Sequence, residues 1–139
     1  SGDVIDLEDD NFENKTTGNQ FFVIIFVSVK CPSCGKFKPI YEEVAKEFED
    51  EKRLCCGEFD CAKNLTRCKD NKVYSFPCVE WFTNGTMIKP LEGILSRDSL
   101  RYFISEMLER ESNSTAKSQA TVNVFAIVLL FLIPTNLLL

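Results

Sequence analysis

The chain has 139 residues and a formal net charge of −5; 45% of it is hydrophobic, but 14 of those residues crowd into the last 18, where no charge occurs. The residues before position 122 can build one core and are too few for two domains, and an acidic chain without a basic stripe excludes nucleic acid as a main partner. The absence of histidine removes Ser-His and Cys-His catalysis, histidine-zinc sites and histidine pH switching.

In chain order, Val4-Ile5-Asp6-Leu7 predicts a short strand, and Asp9 or Asp10 is placed to cap a short helix through Phe12. Phe21 to Val29 is a run of Phe, Val and Ile broken only by Ser28, too apolar for a strand with one wet face, and so predicts a central strand covered on both sides. Cys31 opens a helix to about Glu51, with Phe37, Ile40, Tyr41, Val44, Ala45 and Phe48 on one face and Pro39 marking a kink. Leu54 to Asp60 predicts a second buried strand and Ala62 to Asp70 a short helix. Val79-Glu80-Trp81-Phe82 and Met87-Ile88-Lys89 flank Thr83-Asn84-Gly85-Thr86, a hairpin signal because Asn-Gly accepts the positive φ of a tight turn. Ser96 is placed to cap a last helix whose apolar stripe is Leu100, Phe103, Ile104, Met107 and Leu108. This order implies an α/β fold with a central mixed β-sheet flanked by helices on both faces. Residues 1–111 form the expected domain, 112–121 a polar linker and 122–139 a hydrophobic tail.

Cysteines stand at positions 31, 34, 55, 56, 61, 68 and 78, a density that points to an oxidising compartment or redox chemistry, and an odd number cannot all pair within one chain. Four N-x-[ST] triplets, at Asn14, Asn64, Asn84 and Asn113, are glycosylation candidates compatible with secretion. The chain opens on Ser1-Gly2-Asp3 and runs straight into a strand, as expected once a signal peptide has been removed. Cys31-Pro32-Ser33-Cys34 sits where the central strand ends and the helix begins. There, free backbone N–H groups and the positive end of the helix dipole favour a thiolate, and Lys30 adds a neighbouring cation. Two cysteines three apart can close a small disulfide, so that one attacks and the other resolves. The rival for C-x-x-C is structural zinc, disfavoured here by the lack of histidine and of a second C-x-x-C; no metal or cofactor is expected.

Over residues 3 to 110 the sequence resembles the thioredoxin superfamily, and most closely the catalytic domains of the protein disulfide isomerase family. Val4 to Phe12 is similar to that family's opening strand and helix, and Pro39 and Tyr41 stand after the second cysteine as in its C-x-x-C helix. Phe59-Asp60-Cys61 followed by Cys68 resembles a cysteine pair found in several members, and Ser75-Phe76-Pro77 with Val79 to Gly85 resembles the cis-proline strand and hairpin. The resemblance implies a thioredoxin fold, with Pro77 cis and facing Cys31 and Cys34, where nearby backbone pairs with an extended substrate. The family's usual Trp-Cys-Gly-His-Cys is replaced by Lys30-Cys31-Pro32-Ser33-Cys34, and losing the histidine implies a less oxidising couple. The family's buried acid, six residues before the first cysteine, is here Ile25, and its lysine partner aligns with Glu58. Glu58 is thus a candidate for the missing carboxylate, against the plainer reading of a surface-facing glutamate.

Cys61 and Cys68, seven apart around a short helix, could close a structural disulfide. Cys55 and Cys56 are strand neighbours that point to opposite faces and are read as small buried side chains. Cys78, beside Pro77, is a redox candidate by sequence, although strand alternation turns it into the core. The tail from Val122 to Leu139 would extend about 27 Å as a helix, against a bilayer core of about 30 Å, and it contains Pro134. A polar spacer after Ser112-Asn113-Ser114 and a terminal apolar run fit a GPI-attachment signal; a transmembrane anchor is the alternative. The expected function is a membrane-attached thiol-disulfide oxidoreductase of the secretory pathway, in the endoplasmic reticulum or at the cell surface. It would act on cysteine-containing proteins through Cys31 and Cys34. A client-binding, chaperone-like module with weak or no turnover is the alternative.

Overall fold

Apolar side chains on both faces of the central strands dictate a sheet sandwiched between helices, and the computed structural model, which describes residues 2–18 and 20–133, has that architecture. The elements run β1 (Val4–Asp6), α1 (Phe12–Thr16), β2 (Phe21–Val27), α2 (Pro32–Glu47), β3 (Leu54–Asp60), α3 (Leu65–Asp70), β4 (Cys78–Thr83), β5 (Thr86–Pro90) and α4 (Arg97–Phe131). The strand order is β1-β3-β2-β4-β5, parallel across β1, β3 and β2 and antiparallel for β4 and β5. The expected element order and mixed sheet are therefore both observed. The chain divides into two units, Ser1–Ile104 and Ser105–Leu139.

Within the first unit, the pleat sends Phe22, Ile24 and Phe26 of β2 to one face, where they join Leu7, Phe12, Phe59, Val73 and Phe82 in a buried cluster. The opposite face carries Val23, Ile25 and Val27, all buried, and is covered by α2 through Phe37, Tyr41, Val44 and Ala45. Tyr41 locks that layer, its hydroxyl shared between the carbonyls of Val23 (2.9 Å) and Gly57 (3.0 Å) on adjacent strands. The start of α4 buries Leu100, Phe103 and Ile104, and Arg97 and Arg101 pair with Glu43 and Glu47 of α2. Asn84 (φ 50°) and Gly85 (φ 78°) turn the hairpin, as their sequence predicts.

Element boundaries differ from the sequence expectation in ways that local interactions explain. The strand ends at Val27 rather than Val29, because the Cys31 N–H bonds back to the Ser28 carbonyl (3.1 Å) and closes a turn. Helix α1 begins at Phe12, where it was expected to end: Asn11 takes the capping position, and its side chain accepts the Glu8 N–H (2.9 Å). Asp9 is engaged instead by Asn64 and Arg67. Helix α2 stops at Glu47, short of Glu51, since Glu49, Asp50 and Glu51 would crowd negative charge onto the negative end of its dipole. Helix α3 begins at Leu65 rather than Ala62, capped by the Asn64 carboxamide on the Arg67 N–H (3.0 Å).

In the second unit, residues 112–121, expected as a linker, are helical. Ser112, Thr115 and Thr121 fold their hydroxyls back onto the carbonyls of Leu108, Glu111 and Lys117, which lets small polar residues continue the helix. Val122 to Phe131 is helical with its large apolar side chains exposed; Pro134 and the rest of the tail lie outside the described residues.

Cys61 and Cys68 are bonded as a disulfide with Cα atoms 6.0 Å apart, both side chains within the apolar cluster. Closing this eight-residue ring restricts the unfolded chain, so Cys61→Ala/Cys68→Ala is expected to cost about 2–3 kcal/mol and lower the melting temperature by on the order of 10 °C. Peptide mapping of native protein that finds both thiols free would remove this expectation.

Candidate active site

The cysteine pair occupies the junction of β2 and α2. Cys31 is the N-cap residue, in extended conformation (φ −111°, ψ 101°), and Pro32 follows at the first helical position, where its missing N–H costs nothing. The Cys34 N–H donates to the Cys31 sulfur at 3.1 Å, and the Ser33 hydroxyl lies 3.2 Å from the same atom. No acidic residue occupies the first turn of α2, so the positive end of the helix dipole acts on Cys31 without opposition. Cys31 and Cys34 are joined at disulfide distance with Cα atoms 5.3 Å apart. Cys31 is partly exposed and Cys34 only 3% exposed, which distinguishes the sulfur a macromolecule can reach from the one behind it.

The Phe76–Pro77 peptide is cis, and Pro77 shares a groove with Ser33 at the start of α2, which brings it beside the cysteine pair. On the other side of the pair is a cleft of about 540 Å³ whose lining includes Cys31, Cys34, Lys38, Glu58, Asp60 and Lys63. Ile25, at the position of the family's buried acid, is fully buried and lies opposite Glu58 in the β2–β3 ladder. Glu58 is neither free nor simply surface-facing, because Lys38 of α2 pairs with it at 2.9 Å across the cleft. Sequence reading overlooked Lys38, although its place four residues after Cys34 puts it on the same helix face. Lys30 is exposed in the turn before Cys31, its N–H on the Ser28 hydroxyl (3.4 Å), and lines neither cleft.

The three remaining cysteines are unsuited to attack. Burial pushes the Cys56 thiol up to about 12 and the Cys78 thiol up to about 11, the Glu80 carboxylate adding to the latter. Cys55 is raised by partial burial and donates to the Gln20 carboxamide at 3.0 Å. Cys56 is buried as expected, whereas Cys55 and Cys78 are both half-buried, each packed against the edge of the apolar cluster. Of the glycosylation candidates, Asn14 and Asn113 are exposed on helices. The Asn64 side chain is engaged at both ends, by the Arg67 N–H and by Asp9, and the Asn84 carboxamide oxygen accepts the Gly18 N–H at 2.9 Å. Among the described residues no cluster of metal-ligating side chains occurs.

Comparison with known proteins agrees with this arrangement. The chain is 28% identical over 116 residues to the Thioredoxin domain-containing protein 5 homolog of Drosophila melanogaster, covering 83% of this chain and 27% of that protein. It is 24% identical over 108 residues to Protein disulfide-isomerase A5 of Mus musculus, covering 76% of this chain and 21% of that one. It thus spans about a quarter or less of these two relatives. Among solved structures, the J-Trx1 fragment of ERdj5 superimposes with a TM-score of 0.68 at 25% identity, over 76% of this chain and 52% of the fragment. Since the Thioredoxin family model also matches residues 3–106, which hold both disulfides, the cis-proline and the whole sheet, the chain belongs to the thioredoxin family.

Proposed function

We propose that this protein is a thiol-disulfide oxidoreductase of the protein disulfide isomerase type, acting on cysteines of other proteins through Cys31 and Cys34. The observation that carries the reading is the cysteine pair at disulfide distance on the N-terminus of α2, with one sulfur reachable and the other covered. In the reducing direction the Cys31 thiolate attacks a substrate disulfide, forming a mixed disulfide and releasing one substrate thiolate. Cys34, after losing its proton, attacks the Cys31 sulfur and releases the second substrate thiolate. The substrate is reduced and the Cys31–Cys34 pair oxidised; the oxidising direction is the reverse. Pro77 shapes the peptide groove, Lys30 favours the Cys31 thiolate, and Glu58, held by Lys38, accepts the Cys34 proton. Support for the role of Glu58 comes from its place in the same cleft as Cys34.

The test is reduction of insulin and refolding of scrambled ribonuclease by the full chain, together with the reduction potential of the Cys31–Cys34 pair. Measurable turnover that disappears with Cys31→Ser is expected. Silence in both assays would favour a client-binding module, the reading that the Ile25, Pro32 and Ser33 departures suggest.

The same proposal places the protein in the secretory pathway, attached to a membrane. The apolar stretch from Val122, with side chains such as Phe125 and Phe131 exposed, supports attachment, because exposed apolar helix of this kind is costly in water. The attachment proposed is a glycolipid added near Ser112 to Ser114 in place of the tail, with Asn14 and Asn113 as the accessible glycosylation sites. A phosphatidylinositol-specific phospholipase is then expected to release mature protein from membranes. Membrane-extracted protein with an intact Leu139 would instead make the tail a transmembrane anchor.

A further inference from the structure

Two clefts flank the Cys31–Cys34 pair, and they differ in charge. One is lined by Asp6, Glu58 and Asp60 with Lys38 and Lys63. Both of its lysines are already engaged: Lys38 by Glu58 at 2.9 Å, and Lys63 by Asp6 at 3.2 Å and Glu8 at 3.0 Å. Asp6 and Glu58 are offset in the same pairs, so the charge left uncompensated on this side is that of Asp60, and it is negative. The other is a groove of about 360 Å³ with an apolar lining of Phe37, Ile40, Pro77 and Leu95, and with Ser33 and Lys36 beside them. No carboxylate lines it. Lys36 is exposed, with no ion-pair partner among the described residues, and so is Lys30, next to Cys31. The groove lies next to the reactive sulfur, because Ser33, one of its lining residues, has its hydroxyl 3.2 Å from the Cys31 sulfur.

Building on the oxidoreductase reading, we propose that this charge asymmetry selects and orients substrates: the preferred segment places an apolar side chain in the groove and an Asp or Glu beside Lys36. The apolar lining supplies contact area without direction. Lys36 supplies direction, since a carboxylate on the groove side meets an uncompensated cation, whereas one on the opposite side meets two ion pairs and the carboxylate of Asp60, which no lysine pairs with among the described residues. The chain as a whole carries −5, so its long-range field repels acidic segments and their acceptance depends on this local cation. An acidic residue is therefore favourable on one side of the reacting cysteine only.

The test uses reduced full-length protein and synthetic peptides, each with one cysteine held as a mixed disulfide to a small neutral thiol and with a nearby Leu. Glu, Gln or Lys is placed two residues before or two residues after the cysteine, and second-order reaction rates are measured at low ionic strength. Glu is expected to exceed Gln by about three- to fivefold on one side of the cysteine and not on the other, the scale of one exposed ion pair. Half-molar salt is expected to erase the difference, and Lys36→Glu to reverse it. Equal effects on both sides, no effect of Glu on either side, or a one-sided effect that survives Lys36→Glu would each overturn the inference. If the wild-type protein fails to react even with the Gln peptides, the oxidoreductase reading itself falls and takes this inference with it.

Discussion

Replacing Cys34 with Ser is expected to lock the protein onto its substrates, so that full-length Cys34→Ser accumulates mixed disulfides through Cys31. Cys31→Ser is expected to form none and to lose exchange by on the order of a hundredfold or more, because without an attacking thiolate no mixed disulfide can form. The asymmetry follows from the helix terminus. Cys31 caps α2, receives the Cys34 N–H on its sulfur and is partly exposed, whereas Cys34 lies inside the first turn, 3% exposed. Alkylation of reduced protein at mildly acidic pH is therefore expected to label Cys31 first. The thiols of Cys55, Cys56 and Cys78, all raised by burial, are expected to stay unlabelled until the protein is denatured. Glu58→Gln extends the argument to the second step: with the Glu58 carboxylate no longer there to take the Cys34 proton, resolution of the mixed disulfide is expected to slow by roughly tenfold or more. Labelling of Cys34 before Cys31 would reverse the assigned roles, and unchanged resolution in Glu58→Gln would remove Glu58 from the mechanism.

Glu80 carries the largest expected effect on stability. It lies on β4 between Ile24 of β2 and Pro90 of β5, is fully buried, and neither carboxyl oxygen has a hydrogen-bond partner among the described residues. Burial pushes its pKa from 4.5 up to about 7. An acid whose folded-state pKa is raised carries no ionisation cost below its unfolded value; that cost grows as pH rises from about 4.5 to about 7 and is complete above that. The shift corresponds to about 3 kcal/mol at pH 8 as an order of magnitude. The carboxylates of Asp9, Glu13 and Glu47, all exposed, and of half-buried Glu51 act in the opposite sense: arginines beside Glu13, Glu47 and Glu51, and Asn64 with Arg67 beside Asp9, hold them below their ordinary values. Their contributions are lost as pH falls below about 4. The melting temperature is thus expected to peak near pH 5 and to fall by several degrees toward pH 8. In Glu80→Leu the fall on the alkaline side is expected to disappear, leaving the variant more stable than the parent at pH 8 and by a smaller margin at pH 5. A wild-type melting temperature that is flat from pH 5 to pH 8 would show that Glu80 is not held neutral.

The amino-acid sequence alone determined whatever depends on neighbours along the chain. The hydrophobic run of β2, the Cys31-Pro32-Ser33-Cys34 helix start, the Asn84-Gly85 turn and the apolar face of α2 are set by pleat, helical periodicity and permitted backbone angles, which reach only a few residues. The order of elements along the chain and the mixed character of the sheet followed from that local pattern and from the resemblance it carried. The tertiary structure decided what depends on pairs far apart in sequence. Because β3 lies beside β2, Glu58 comes to stand opposite Ile25 and within reach of Lys38. Because β4 lies between β2 and β5, Glu80 is sealed in the core, although a glutamate on a hairpin strand would ordinarily face water. The start of α1 was misplaced for the same reason: Asp9 reads as a helix cap in isolation, but Arg67, lying over the Phe12 ring at 4.5 Å, draws its carboxylate away. Local propensities differ by about 1 kcal/mol or less, so a single charged contact made across the fold is enough to override them.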